Sequence, residues 1–230
     1  MKKIFLILMV LFLSCKTNDV QNKQISKSLF GVVFDNKSNP IKHAVIKFRS
    51  KPENRHILSV SSDIDGKFIV PELEYGLYLV SVSSTGSLSM EVEVDHYDVS
   101  NVLIIKISTF EDLIVKLEKG LKDKNYIHVE ERIKQLEGID GDDVYFNYLK
   151  AIFYINTGDY KKAEKILLHL IKKTGNEPFI NLLLADLYQY YLEELNKSII
   201  YLEHYADREF SEDVNNRIEE LKGVITSTEE

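Results

Sequence analysis

Two stretches of this 230-residue chain repeat one another at a fixed offset: Ala151 and Tyr154 return as Ala185 and Tyr188, each 34 residues further on. Around them, small residues stand where two helices must approach closely, and bulky ones stand where helices interlock. A helical hairpin of this size cannot bury its apolar stripe alone, so it must stack on a neighbour. The chain is thereby constrained to a row of hairpins that leaves one wall of helix surfaces open. Counting back by the same period lands on Leu117, Tyr126 and Val129, so a degenerate first unit begins near 110. Counting forward, Ala163 maps to Ser198 at an offset of 35. One extra residue therefore lies within 190–195, and that turn should be distorted. A further helix over 211–222, with Ser211 as N-cap, Val214, Ile218 and Leu221 on one face and Gly223 as stop, supplies the cap an open stack needs.

The clearest copy reads Asn147-(x3)-Ala151-(x2)-Tyr154-(x3)-Gly158-Asp159-Tyr160-(x2)-Ala163-(x3)-Leu167-(x2)-Leu170, and it resembles a tetratricopeptide repeat. The resemblance implies that the first helix of each hairpin lines a concave wall. The positions that fall there are Glu111, Ile114 and Glu118 in the first unit, Tyr145, Tyr148 and Ile152 in the second, and Phe179, Leu182, Asp186 and Gln189 in the third. The last seven form the candidate protein-binding groove, apolar and aromatic with an acidic rim. Aromatic side chains supply large contact area at low entropy cost and commonly anchor peptide or helix recognition. The competing reading packs Tyr145, Tyr148 and Phe179 on the other domain or inside the hairpins. The basic clamp that some members use for C-terminal carboxylates is absent, since Tyr148 and Ile152 occupy its Lys and Asn positions.

Upstream, over 28–108, helical spacing gives way to short alternating runs punctuated by turn residues. Seven strands fit, at 29–34, 44–49, 57–62, 67–70, 77–83, 88–94 and 101–107. Turn signals about every 8 to 12 residues favour a β sandwich. The segments Gly31-Val32-Val33-(x6)-Pro40-Ile41-(x2)-Ala44-Val45-Ile46, Ser62-Asp63-Ile64-Asp65-Gly66-Lys67-Phe68 and Leu73-Glu74-Tyr75-Gly76-Leu77-Tyr78 resemble the carboxypeptidase regulatory-like domain. That resemblance implies a transthyretin-like sandwich that serves as spacer or binding platform, without catalysis. Ser87 departs from the family, which commonly has an aromatic after Gly86. The expected fold is thus two domains: an all-β seven-stranded sandwich over 28–108, then an all-α tetratricopeptide-repeat solenoid over 110–226 made of three hairpins and a capping helix. Each half should carry its own core, with the junction near Ser108 and Thr109.

At the other end, Met1-Lys2-Lys3 and the uncharged run 4–13 form a positive n-region and an apolar core too short to span a bilayer as a mature helix. Phe12-Leu13-Ser14-Cys15 resembles a bacterial lipobox, which implies a lipoprotein signal peptide over 1–14 and acylation of Cys15. Two or three acyl chains on one residue give stable anchoring. Acylation would also consume the only cysteine. Residues 15–27, polar beyond the cysteine, read as a flexible tether.

No catalytic constellation stands out. The histidines His43, His56, His96, His128, His169 and His204 are scattered without metal-ligand spacing, and no Gly-x-Ser-x-Gly or glycine-rich phosphate loop occurs. Asp63-x-Asp65-Gly66 echoes a calcium loop, but lacks its twelve-position pattern, and a hairpin turn explains it as well. Asp95-His96-Tyr97-Asp98 reads as a solvated loop between strands. The formal charge of −7, with 25 acidic and 16 basic side chains from Phe110 onward, gives no nucleic-acid footprint. The expectation is a non-enzymatic lipoprotein of the bacterial cell envelope, at the outer membrane, needing neither metal nor cofactor. Its partner would be another envelope protein or a peptide segment, bound along the helical wall. The alternative is a glycan or host-ligand binder at the cell surface that uses the sandwich, with the helices as spacer.

Overall fold

In the computed structural model, which describes residues 26–97 and 102–228, strands give way to helices at Thr109. Cys15, Asp98 and Asn101 lie outside the described residues. Seven strands come first: β1 (Ser26–Phe34), β2 (Val45–Ser50), β3 (His56–Ser61), β4 (Lys67–Glu74), β5 (Gly76–Ser83), β6 (Met90–His96) and β7 (Leu103–Lys106). They divide between a three-stranded sheet, β4-β1-β7, and a four-stranded antiparallel sheet, β3-β2-β5-β6. In the smaller sheet, β1 runs antiparallel to β4 and parallel to β7. Alternation drives the assembly: Ala44, Ile46 and Phe48 point one way, as do Tyr78, Val80 and Val82. They meet Leu29, Val33, Phe68, Val70 and Ile105 in one buried cluster between the sheets.

Several details depart from the sequence reading: β1 already begins at Ser26, inside the stretch 15–27 expected as a tether, and the last helix runs through Gly223, expected as its stop, to Thr228. His96 is no solvated loop residue: it continues the alternation of Val92 and Val94, is fully buried, and places Nε2 3.2 Å from the Lys27 carbonyl and 3.1 Å from that of Leu73. With carbonyls on both sides, Nε2 carries the proton. Leu88, expected to open a strand, precedes β6 and packs against the first helical core. The turn at Asp63 closes on itself: its Oδ1 accepts the amides of Asp65 at 2.9 Å and Lys67 at 2.8 Å, and Gly66 takes φ +73°. Among the described residues, no group of three or more His, Cys, Asp or Glu converges as metal ligands would.

The helices follow: α1 (Phe110–Lys122), α2 (Tyr126–Asp140), α3 (Val144–Asn156), α4 (Tyr160–Thr174), α5 (Pro178–Tyr190), α6 (Leu195–Ala206) and α7 (Glu212–Thr228). They pair as hairpins α1/α2, α3/α4 and α5/α6, with α7 packed on α6. Each helical core joins one hairpin to the next helix. Leu113, Leu117, Val129 and Ile133 meet Phe146 and Leu149 of α3; Ala163 and Leu167 meet Ile180 and Leu184 of α5; Ile199 and Leu202 meet Val214 and Ile218 of α7. The residues that mark the period, Ala151, Ala163, Ala185 and Ser198, are all fully buried. Ser198 fits an alanine position because its hydroxyl donates to the Ala185 carbonyl at 3.0 Å.

The extra residue of the third hairpin is visible in how its turn closes. In the first two, three residues separate the helices, with Lys124 (φ +54°) and Gly158 (φ +82°) in the middle, and the residue before the second helix donates five positions back: Asn125 to Gly120 and Asp159 to Tyr154. In the third, four residues intervene, Glu193 takes the positive φ at +56°, and Glu194 donates six positions back to Tyr188. The closing hydrogen bond is kept and the added residue bulges inside it.

Polar contacts pin the two regions together. Asn36 Nδ2 donates to Ser108 Oγ at 3.0 Å and Asp112 Oδ2 at 3.1 Å, while Phe110 N donates to Gly86 O at 2.8 Å and Leu88 N to Ser108 O at 2.9 Å. Asp112 and Thr109 also form a capping box that starts α1.

Candidate functional site

The candidate wall lies on α3 and α5. Each helix packs into two cores: α3 turns Phe146, Leu149 and Phe153 to the first and Ala151 and Ile155 to the second, and α5 turns Ile180, Leu184, Leu187 and Tyr188 to the second and Ala185 to the third. At about 100° per residue, Tyr145, Tyr148 and Ile152 share another face of α3, and Phe179, Leu182, Asp186 and Gln189 share one face of α5. The helix starts hold these faces in place: the Asp143 carboxylate accepts the Phe146 amide at 2.7 Å, and Pro178 occupies the first turn of α5.

Three of the seven side chains form a continuous aromatic run. The Tyr145 and Tyr148 rings stack at 6.3 Å with 17° between planes, and Tyr148 meets Phe179 edge-on at 5.1 Å and 84°. Tyr145 is 46% exposed and Phe179 40%, whereas Tyr148 is half-buried and touches the cores on both sides of it. The Tyr145 hydroxyl donates to Glu118 on α1 at 2.6 Å, and that bond, with burial second, pushes its pKa up to about 12. Burial, with Asp186 nearby, likewise raises Tyr148. Both phenols therefore remain uncharged donors at neutral pH.

The other four positions are committed to neighbours. Ile152 packs into the core beneath the first hairpin and Leu182 into the one beneath the last. Asp186 Oδ1 lies 2.8 Å from Arg217 Nη2 of α7, a charge contact whose alignment falls short of a hydrogen bond. Arg217 Nε also donates to Gln189 Oε1 at 2.6 Å, and its guanidinium sits 5.2 Å from the Tyr190 ring centre. The capping helix thus closes the C-terminal end of the wall and neutralises part of its acidic rim. Sequence reasoning missed Arg217, because a contact 28 to 31 residues away leaves no local pattern.

Two further concavities went unnoticed in the sequence. On the opposite side of α3, a groove of about 380 Å³ is lined by Lys150, Tyr154, Lys162, Lys165 and His169. Glu137 and Asp159 neutralise two of its lysines. In the β region, a cleft of about 260 Å³ is lined by Glu53, Arg55, Tyr75, Tyr78 and Tyr97. Phe48, Phe68 and Tyr78 are buried as the alternation requires, so Tyr75 and Tyr97, with rings 6.3 Å apart, supply the aromatic surface there.

No protein-family model matches the chain, and no curated protein matches it. Among solved structures, the first tetratricopeptide-repeat domain of human RPAP3 is similar at 13% identity and TM-score 0.46, covering 52% of this chain and 94% of that one. The type III secretion chaperone SycD of Yersinia enterocolitica, solved with a peptide of the translocator YopD, is similar at 15% identity and TM-score 0.45, covering 52% and 94%. The Sgt2 tetratricopeptide-repeat domain of Aspergillus fumigatus is similar at 13% identity and TM-score 0.46, covering 52% and 81%.

Proposed function

We propose that this chain is a lipid-anchored, non-enzymatic adaptor of the bacterial cell envelope that holds a segment of another protein against the α3/α5 wall. In this reading the helices are a tetratricopeptide-like stack and the two sheets a carboxypeptidase regulatory-like sandwich that sets the stack off from the outer membrane. The observation that carries the proposal is the aromatic run Tyr145-Tyr148-Phe179, which spans two hairpins and keeps its two ends open to solvent. An extended or helical segment crossing two hairpins would meet these rings in turn, and anchors of this kind dominate recognition energies. Acylated Cys15 would supply the attachment, since no helix among the described residues is long and apolar enough to cross a membrane.

The test is a pull-down from an envelope extract with the wild-type chain and with Phe179→Ala. A discrete partner retained by the first and lost by the second supports the wall; equal retention refutes it. Anchoring is tested apart from binding: Cys15→Ser should move the protein to the soluble fraction and abolish fatty-acid labelling, and unchanged labelling removes the anchor from the account.

The second reading, a glycan or host-ligand site on the β region, is favoured by the Tyr75/Tyr97 cleft with Glu53 and Arg55 at its edge. Loss of glycan-array binding in Tyr97→Ala, with the wall variants unaffected, would move the site there.

A further inference from the structure

The sheet β4-β1-β7 turns its inner side to the core, and its register lays out an outer side with two unlike ends. On the central strand β1, Phe30 stands beside Ile69 of β4, and Val32 stands between Lys67 of β4 and Ile104 of β7. Val102, just before β7, falls level with Phe30 in the same parallel register. Toward the start of β1, a bulge in β4 sets Pro71 and Glu72 across from Ser28, and Glu74 stands opposite Ser26. Toward its end, Phe34 stands opposite Lys106. Phe30, Ile69, Val102 and Ile104 are each more than half exposed, and Lys67, Glu72, Glu74 and Lys106 are exposed as well. The face is therefore apolar in its middle, with two lysines at one end and two glutamates at the other. Lys67 reaches Asp65 of the preceding turn at 3.3 Å, while Glu72 and Lys106 make no ion pair among the described residues.

We infer that this face is the interface between two copies of the chain, packed sheet on sheet with their strands antiparallel. An open apolar patch marks a contact surface, and here the charge pattern selects the occupant. A twofold axis running across the strands through the row of Phe30, Ile69 and Val102 lays each of these residues over its own counterpart. It also carries the glutamate end of one copy onto the lysine end of the other. Lys67 is level with Val32 and Glu72 with Ser28, two residues to either side of Phe30, so Lys67 of each copy meets Glu72 of the other. The contact occurs twice. Strands running parallel would instead gather the lysines of both copies at one end and the glutamates at the other, where like charges repel. A membrane surface of one charge would satisfy one end of the face and repel the other. The facing area is roughly 15 by 25 Å, or about 400 Å² per copy, half of the ~800 Å² in a standard interface, so the dimer is a weak one. The inference rests on neither the aromatic wall nor the lipid anchor.

Analytical sedimentation of the full chain carrying Cys15→Ser, so that no acyl group holds copies together, reads the association between about 10 μM and 1 mM. The weight-average mass should climb from that of one chain toward that of two. Ile69→Lys, which sets two like charges against each other on the axis, should keep the chain monomeric. Glu72→Lys and Lys67→Glu each turn both opposite-charge contacts into like-charge ones, and each alone should weaken association roughly tenfold or more. Mixed in equal parts, these two variants should associate again, because every charge then meets its opposite. The chain carrying both substitutions should do the same. Recovery in the mixture also shows that neither variant is misfolded. A wild-type chain that stays monomeric, single variants that associate as well as the wild type, or a mixture that fails to recover would each overturn the proposal. The chain contains no tryptophan, so Phe30→Trp places a single fluorescent probe on the face and reports any other occupant. In a monomeric chain, emission already at short wavelength means that another part of the chain covers the face. A shift to shorter wavelength only on adding vesicles of phosphatidylglycerol and phosphatidylcholine means that a lipid surface does. Either result overturns the proposal.

Discussion

Asp112 stands where the two regions meet, capping α1 through Thr109 and accepting hydrogen bonds from Asn36. Burial alone would raise its pKa, but the amides of Thr109 and Asn36, with the Asn36 and Thr109 side chains, outweigh it and hold the carboxyl below its ordinary 3.8. A carboxyl depressed in the folded state stabilises the protein above its unfolded pKa, and that contribution disappears as pH falls through the folded value. Asp112→Asn should therefore cost about 1 kcal/mol at neutral pH, and its deficit against wild type should shrink below pH 3.8 in acid melts. A deficit independent of pH would mean that the charge contributes nothing. The aromatic run separates in the same way. Phe179→Ala, at a residue 40% exposed and outside the buried cores, should change stability by less than about 1 kcal/mol, whereas Tyr148→Ala, wedged between two cores, should cost roughly 2 kcal/mol. A large loss of melting temperature in both would make the run core rather than surface. At this scale the sequence is legible where a residue obeys a period. His96 follows the alternation of Val92 and Val94, yet its polar neighbours Asp95, Tyr97 and Asp98 disguise a strand end as a loop.

Among the elements, the first hairpin tests the repeat most sharply because it departs from it. Leu117 and Val129 occupy positions where the second hairpin has Ala151 and Ala163, and Gly120 stands where it has Tyr154. A Cβ on Gly120 would lie 2.8 Å from Val129 Cγ2, so glycine makes room for the larger valine. Glycine inside a helix ordinarily costs about 1 kcal/mol relative to alanine. Gly120→Ala should consequently destabilise the wild type but stabilise Val129→Ala by about 1 kcal/mol, a change of sign that a double-mutant cycle in denaturant reads directly. Additive effects would show that the two positions are not coupled. Helix and strand identities are readable here because burial repeats with a period of about 3.6 or 2. What periodicity leaves out is which element a lone apolar residue meets: Leu88 looks like the start of a strand, and only the tertiary structure turns it toward α1.

Taken as a whole molecule, the chain is a two-sheet β region followed by seven helices among the described residues, pinned at Asn36, Gly86, Leu88 and Asp112. The order of strands and helices is legible in the sequence; the sheet partition, the parallel β1/β7 pair and the reach of Arg217 across the wall are not, because each depends on residues far apart in the chain. For the same reason the sequence marks a seven-residue wall, while the structure leaves Tyr145 and Phe179 exposed with half-buried Tyr148 between them, and ties Ile152, Leu182, Asp186 and Gln189 to neighbouring helices. The central claim is that this aromatic run is where another protein binds. Photo-cross-linking tests it most directly, with p-benzoylphenylalanine placed at Phe179 and, as control, at Ile127, which is exposed on α2 away from the run. In cells making the chain, position 179 should give one discrete protein adduct that Tyr145→Ala diminishes, and position 127 should give none. No adduct at 179, or the same adducts from both positions, would contradict the account.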